Sequence, residues 1–224
     1  MTNYLLPILS VLIGGLSILL WKPKKLRSIK LLLAFSGAFL LSITVLEMLP
    51  NVYQSKDNMT GYWVLGGIIL QLSLEYMSNG AEHGHIYVNQ KDGIPWAIWI
   101  SLFIHSLLEG IPIQYHEHMS IGVFFHKLPI AMLLSFLLLQ SQRPVIQSVV
   151  LFFIFGAATP LGSYLSDLNS IFSNRYVEFS ALVSGMFLHV STTILYESAE
   201  GHRFNSAKTF TVVIGILMAI LTIL

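Results

Sequence analysis

Apolar runs of about 20 residues follow one another along this chain with only short polar breaks, and a helix of that length matches the hydrocarbon thickness of a bilayer. Backbone in lipid must satisfy its own N–H and C=O groups, so each run is expected to be an α-helix. Eight spans are predicted, at roughly 4–21, 30–52, 61–79, 95–115, 119–140, 145–166, 176–197 and 208–224. The breaks carry turn and charge signals, as in KPKKLRSIK, QSQRP and ESAEGHRFNSAK. The expected fold is an all-α membrane protein, an eight-transmembrane-helix bundle forming one domain over 1–224.

Charged residues make up 10% of the chain against 54% hydrophobic, where a soluble domain has about 25% charged. The 12 Lys and Arg nearly balance the 11 Asp and Glu, which argues against a nucleic-acid partner. With no cysteine, any bound metal must be held by His, carboxylate or Met, and the eight histidines gain weight. In the first run, Lys22, Lys24 and Lys25 follow the apolar stretch instead of preceding it. That is the wrong polarity for a cleaved signal peptide, so a retained helix is expected. Lys22, Lys24, Lys25, Arg27, Lys30, Lys91, Arg143, Arg203 and Lys208 fall on one side of the predicted crossings, and only Lys56 and Arg175 on the other. The positive-inside bias then puts both termini outside the cytoplasm. A cell membrane is the expected location, the inner one in a bacterium. No long internal repeat supports a carrier built from two matching halves.

Glu47, Glu75, His105, Glu109, His126, Lys127 and His189 fall within or near these spans. Each is expensive facing lipid, so they should converge on the bundle interior or a water-filled path. In HSLLEG, His105 and Glu109 are four residues apart and share one helix face. His126 lies in the next, oppositely directed span and can meet the depth of His105. Pro112 and Pro129 each remove a backbone donor close by. Two imidazoles with one or two carboxylates suit Zn²⁺, with Fe²⁺ and Mn²⁺ also compatible, and a partial cage suits an ion that must leave again. An ammonium repels cations, so Lys127 is either a counter-ion to a carboxylate or a fixed substitute for a second metal. Glu75 or His189 taken alone is as readily a structural residue hydrogen-bonded across helices. His83 and His85, in EHGH, and His116 and His118, in HEH, lie on opposite loops and can collect metal at either mouth of a path; ordinary polar loops also contain such residues. HEH lacks the one-turn histidine spacing of the HExxH zinc peptidases.

HSLLEG followed by HKLP resembles the ZIP family of divalent-metal transporters. SGAFLLSITVLEMLP, GYWVLGGIILQLSLEY, FGAATPLGSYLS and LVSGMFLHVSTTILYE are similar to that family's second, third, sixth and seventh spans, so the likeness covers nearly the whole chain. The resemblance implies uptake of Zn²⁺ or a related cation such as Cd²⁺ into the cytoplasm, through a site of Glu47, His105, Glu109 and His126. Ser106, Lys127 and Ile130 depart from the pattern of members with a two-metal centre, which implies one metal, with Lys127 at the second position. The span limits put Glu47 nearer the outer face than His105, which suits a gate or entrance ligand. The expected partners are the ion and the bilayer, with a second copy of the chain left open, and no separate cofactor is expected. An integral-membrane zinc-dependent hydrolase is the alternative; a membrane protein with a satisfied polar core is another.

Overall fold

The computed structural model describes residues 2–21, 27–55, 58–78, 80, 96–140, 144–168, 170–197 and 206–224. Helices account for all the regular structure among them: α1 (Thr2–Trp21), α2 (Arg27–Ile43), a π-helical turn (Thr44–Met48), α3 (Leu49–Tyr53), α4 (Thr60–Ser78), α5 (Trp96–Gly110), α6 (Met119–Gln140), α7 (Val145–Leu168), α8 (Ser170–Asn174), α9 (Tyr176–Glu197) and α10 (Ser206–Ile223). Six helical segments are long and apolar enough to cross a membrane: α1, the α2 to α3 stretch, α6, α7, α9 and α10. The described residues form no regular structure but helix, and their long apolar segments mark a multi-pass membrane protein. α4 has the length, at 19 residues, but Gln71 and Glu75 dilute its apolar character. α5 is a shorter apolar helix of 15 residues.

The fourth predicted span ran to 115, whereas α5 stops at Gly110 and residues 111–118 form turns. Pro112 lacks the N–H that would continue the ladder, and turn bonds replace it, among them Tyr115 N–H to the Pro112 carbonyl at 2.9 Å. The second predicted span, continuous over 30–52, contains a π turn at Thr44–Met48. Pro50 cannot donate to a carbonyl one turn back and its ring crowds it, so the preceding turn widens, and Leu49 N–H bonds to the Thr44 carbonyl five residues earlier. The buried hydroxyls of Ser36, Ser42, Thr44, Ser184 and Ser191 bond back to carbonyls of their own helices, so these five are satisfied locally.

Lipid is as apolar as leucine, so helices here associate by close packing. α4 packs on α9, α5 on α7, α1 on α6 and α2 on α10. In the first two pairs the backbones touch through glycine. A Cβ on Gly67 would lie 1.8 Å from the Leu182 carbonyl oxygen, and one on Gly185 1.9 Å from that of Val64. Gly110 and Gly162 do the same between α5 and α7, at 2.1 Å from Thr159 O and 2.0 Å from Leu107 O. Both pairs run parallel. Going from Gly67 to Glu75 on α4 moves the contact from Leu182 to His189 on α9. Going from Trp99 to Gly110 on α5 moves it from Leu151 to Thr159 on α7.

Exposed Tyr53, Tyr62, Trp63, Tyr164 and Tyr176 gather where α4 and α9 begin and where α3 and α7 finish. Exposed Tyr76, Trp96 and Tyr196 mark the opposite end. Amphipathic rings at both ends, with bare Leu, Ile, Val and Phe between them on α1, α7 and α10, are what two membrane interfaces select.

Candidate metal centre

α5 and α6 bring His105, Glu109 and His126 together in the bundle interior. One ligand atom from each lies within 4.8 Å of the other two. All three are almost wholly buried, at 1%, 1% and 0% exposed. His105 Nε2 is 3.6 Å from Glu109 Oε2, as one helical turn dictates. The His126 ring centroid is 5.8 Å from that of His105, and Phe187 of α9 stands 6.3 Å from both rings. One carboxylate oxygen and two imidazoles facing a shared point is a donor set for a borderline divalent cation.

The second oxygen of Glu109 is occupied differently. Lys127 Nζ donates to Glu109 Oε1 at 2.6 Å, and so does the Thr159 hydroxyl, also at 2.6 Å. Lys127 also donates to Thr159 and lies 4.9 Å from the centre of the Phe155 ring. The ammonium is therefore a counter-ion to the carboxylate, one of the two roles its sequence position left open. Splitting one carboxylate between an ammonium and a metal-facing oxygen lowers its charge toward the ion. Thr159 reaches this far inward because Gly110 and Gly162 let α7 touch α5 beside Glu109. Ser106 is buried beside the cluster, and Ile130 belongs to the apolar core around α1, α6 and α7.

No protein-family model and no curated protein matches the chain. What the site can do therefore rests on its own residues.

Glu47 is not in the three-residue cluster. The π turn carries it to the start of α6, where Oε1 accepts the His118 backbone N–H at 3.1 Å and Oε2 lies 3.3 Å from His118 Nδ1. His118 and Glu47 thus meet at the end of the bundle where α5 finishes and α6 starts. Glu75 of α4 pairs with His189 of α9, both half-buried, so each has its partner across the helix pair. His83 and His85 lie outside the described residues. A groove of about 300 Å³ between α1, α6 and α7, walled by residues such as Leu16, Leu138 and Phe152, holds no ionisable residue and is separate from the cluster.

His116 differs from the exposed loop ligand expected of HEH. It is buried at 4% exposure, under a loop held by Glu47 on one side and by the Tyr115 ring against Tyr176 on the other. Asn51 Nδ2 faces its Nδ1 at 3.4 Å, and its Nε2 has no hydrogen-bond partner among the described residues. Burial pushes its pKa from 6.5 down to about 4. The unfolded chain takes up this proton near its ordinary value, the folded chain only near the lowered one, so acid favours unfolding. Stability should fall by about 3 kcal/mol as pH drops from 6.5 to about 4, and the contribution of His116 should be flat below that. Thermal melts of wild type and His116→Leu between pH 7 and pH 4 check this. The variant should lose the less stability of the two, and parallel curves would assign the acid loss to other groups.

Two partners in this site were not singled out in the sequence. Thr159 is one, and Gln71 of α4 the other: its Oε1 lies 2.8 Å from His105 Nδ1.

Proposed function

We propose that the chain is a carrier of divalent metal ions of the ZIP type, taking Zn²⁺ into the cytoplasm. The buried His105, Glu109 and His126 cluster carries this reading, because ionisable groups at that depth are costly unless they serve an ion or one another. Its openness supports transport over storage: three protein donors leave a hydrated or exchanging position, and the counter-ion Lys127 keeps the carboxylate from holding the ion too firmly. Glu47 and His118 act as the outer gate and Glu75 with His189 lies on the inner path. Zn²⁺ is the favoured cargo, with Fe²⁺, Mn²⁺ and Cd²⁺ as competitors for the same mixed donors. The protein is then a transporter and not an enzyme, in a cell membrane.

An eight-crossing path with both termini outside accompanies this reading. Strict alternation requires crossings three and seven to run parallel, and likewise four and six. The parallel packing of α4 with α9 and of α5 with α7 supports it.

Proteoliposomes loaded with the full chain should take up radiolabelled Zn²⁺. His105→Asn or His126→Asn should reduce uptake by roughly 100-fold, since even outer partners of metal ligands cost 10–100-fold. Uptake that survives both substitutions together would sink the site. Hydrolysis of lipid or peptide that depends on metal, with no flux, would favour the hydrolase alternative.

A further inference from the structure

Gln71 is wholly buried in the middle of α4, and a carboxamide there needs partners as much as a charge does. Hydrogen bonds at two levels tie α4 to the antiparallel α5. The Ser101 hydroxyl donates to the Leu74 carbonyl at 2.8 Å, and one turn along α5 His105 Nδ1 meets Gln71 Oε1 at 2.8 Å. Gly67, one turn before Gln71, presses α4 onto the α9 backbone and so fixes its height and rotation.

A carboxamide oxygen only accepts, so the proton of this contact belongs to Nδ1. Neutral imidazole then has its lone pair on Nε2, the atom that faces Glu109 Oε2 at 3.6 Å. Turning the amide round would move the proton to Nε2, where that carboxylate oxygen is too distant for a good hydrogen bond. We infer that Gln71 is a positioning residue that fixes His105 as the Nδ1–H tautomer, with Nε2 as its metal-ligand atom, and that its neutrality keeps the site releasable. A carboxylate in its place would orient the ring equally well but raise the basicity of Nε2 and add a negative charge near the ion. The tautomer assignment stands on geometry alone, whereas its consequence for release rests on the carrier reading.

The test is nitrogen NMR of the metal-free full chain in nanodiscs, labelled with ¹⁵N-histidine, with the His105 signals identified by their loss in His105→Asn. Wild type should show a protonated Nδ1 and a bare Nε2 at His105; a proton on Nε2 would overturn the inference. Gln71→Met, close in shape but without an acceptor, should shift His105 toward the Nε2–H form and weaken Zn²⁺ binding roughly 10–100-fold. Gln71→Glu should keep the wild-type tautomer, bind Zn²⁺ on the order of tenfold more tightly and slow its uptake. If Gln71→Met fails to fold, the wild-type and Gln71→Glu spectra still decide. An unchanged tautomer in a folded Gln71→Met protein would overturn the inference. A tautomer that shifts in a protein that never binds Zn²⁺ supports the positioning role and removes the carrier reading instead.

Discussion

Glu109→Ala is expected to cost about 3–5 kcal/mol of stability, the loss typical of breaking a buried ion pair and leaving one charge behind. The stranded charge is the Lys127 ammonium, which would retain the Thr159 hydroxyl and the Phe155 ring but no anion among its contacts in this site. The converse substitution separates structure from metal binding. Lys127→Met leaves the Glu109 carboxylate with the Thr159 hydroxyl as donor and His105 Nε2 3.6 Å away, and should also destabilise the metal-free protein. Zn²⁺ then becomes the best available counter-ion, so added metal should raise the melting temperature of Lys127→Met by more than that of wild type. Glu109→Ala with Lys127→Met removes both charges. It should recover most of the lost stability, because an apolar replacement of a buried pair is often neutral, yet show no shift with Zn²⁺. A double variant as unstable as Glu109→Ala alone would mean that the pair is not what holds this region together.

The helices were readable because lipid leaves the backbone one solution per crossing, and the interior pair because a bilayer makes His105 and Glu109 conspicuous. The π turn was not readable. Pro50 announces some disturbance, but whether a helix kinks or widens by one residue depends on what the turned side chain meets, and here Glu47 meets His118. In that turn Glu47 pairs with His118 and stands outside the group of His105, Glu109 and His126. Gln71 and Thr159 carry no charge, so the cost of burying an ion does not single them out in the sequence. A carboxamide four residues before Glu75, and a hydroxyl directly before Pro160 and one turn from Gly162, were the available signals. A histidine in a short polar loop such as HEH is expected at the surface, where loops usually run. Eight residues of turn pinned to α3 and α9 leave His116 no route to the surface.

Gly110→Ala is expected to damage the site from outside it. The added Cβ would lie 2.1 Å from the Thr159 carbonyl oxygen and 3.0 Å from Ser163 N, both backbone atoms that cannot rotate away. A comfortable carbon-to-oxygen approach is about 3.3 Å, so α5 and α7 must part by roughly 1 Å. Forced separation of packed elements costs about 1–3 kcal/mol, occasionally more, and should appear as a lower melting temperature. The parting also draws Thr159 away from Glu109, whose 2.6 Å contact has no such slack. Glu109 then turns more fully on Lys127, and Zn²⁺ affinity should fall by about tenfold or more, the scale on which outer partners of metal ligands act. Gly66→Ala is the control: nothing lies within 4 Å of a Cβ there, and the added methyl favours helix, so stability and Zn²⁺ affinity should hold. Gly110→Ala matching that control in both measurements would mean that the α5 and α7 contact is looser than the glycine pair implies, and that Thr159 does not set the state of Glu109.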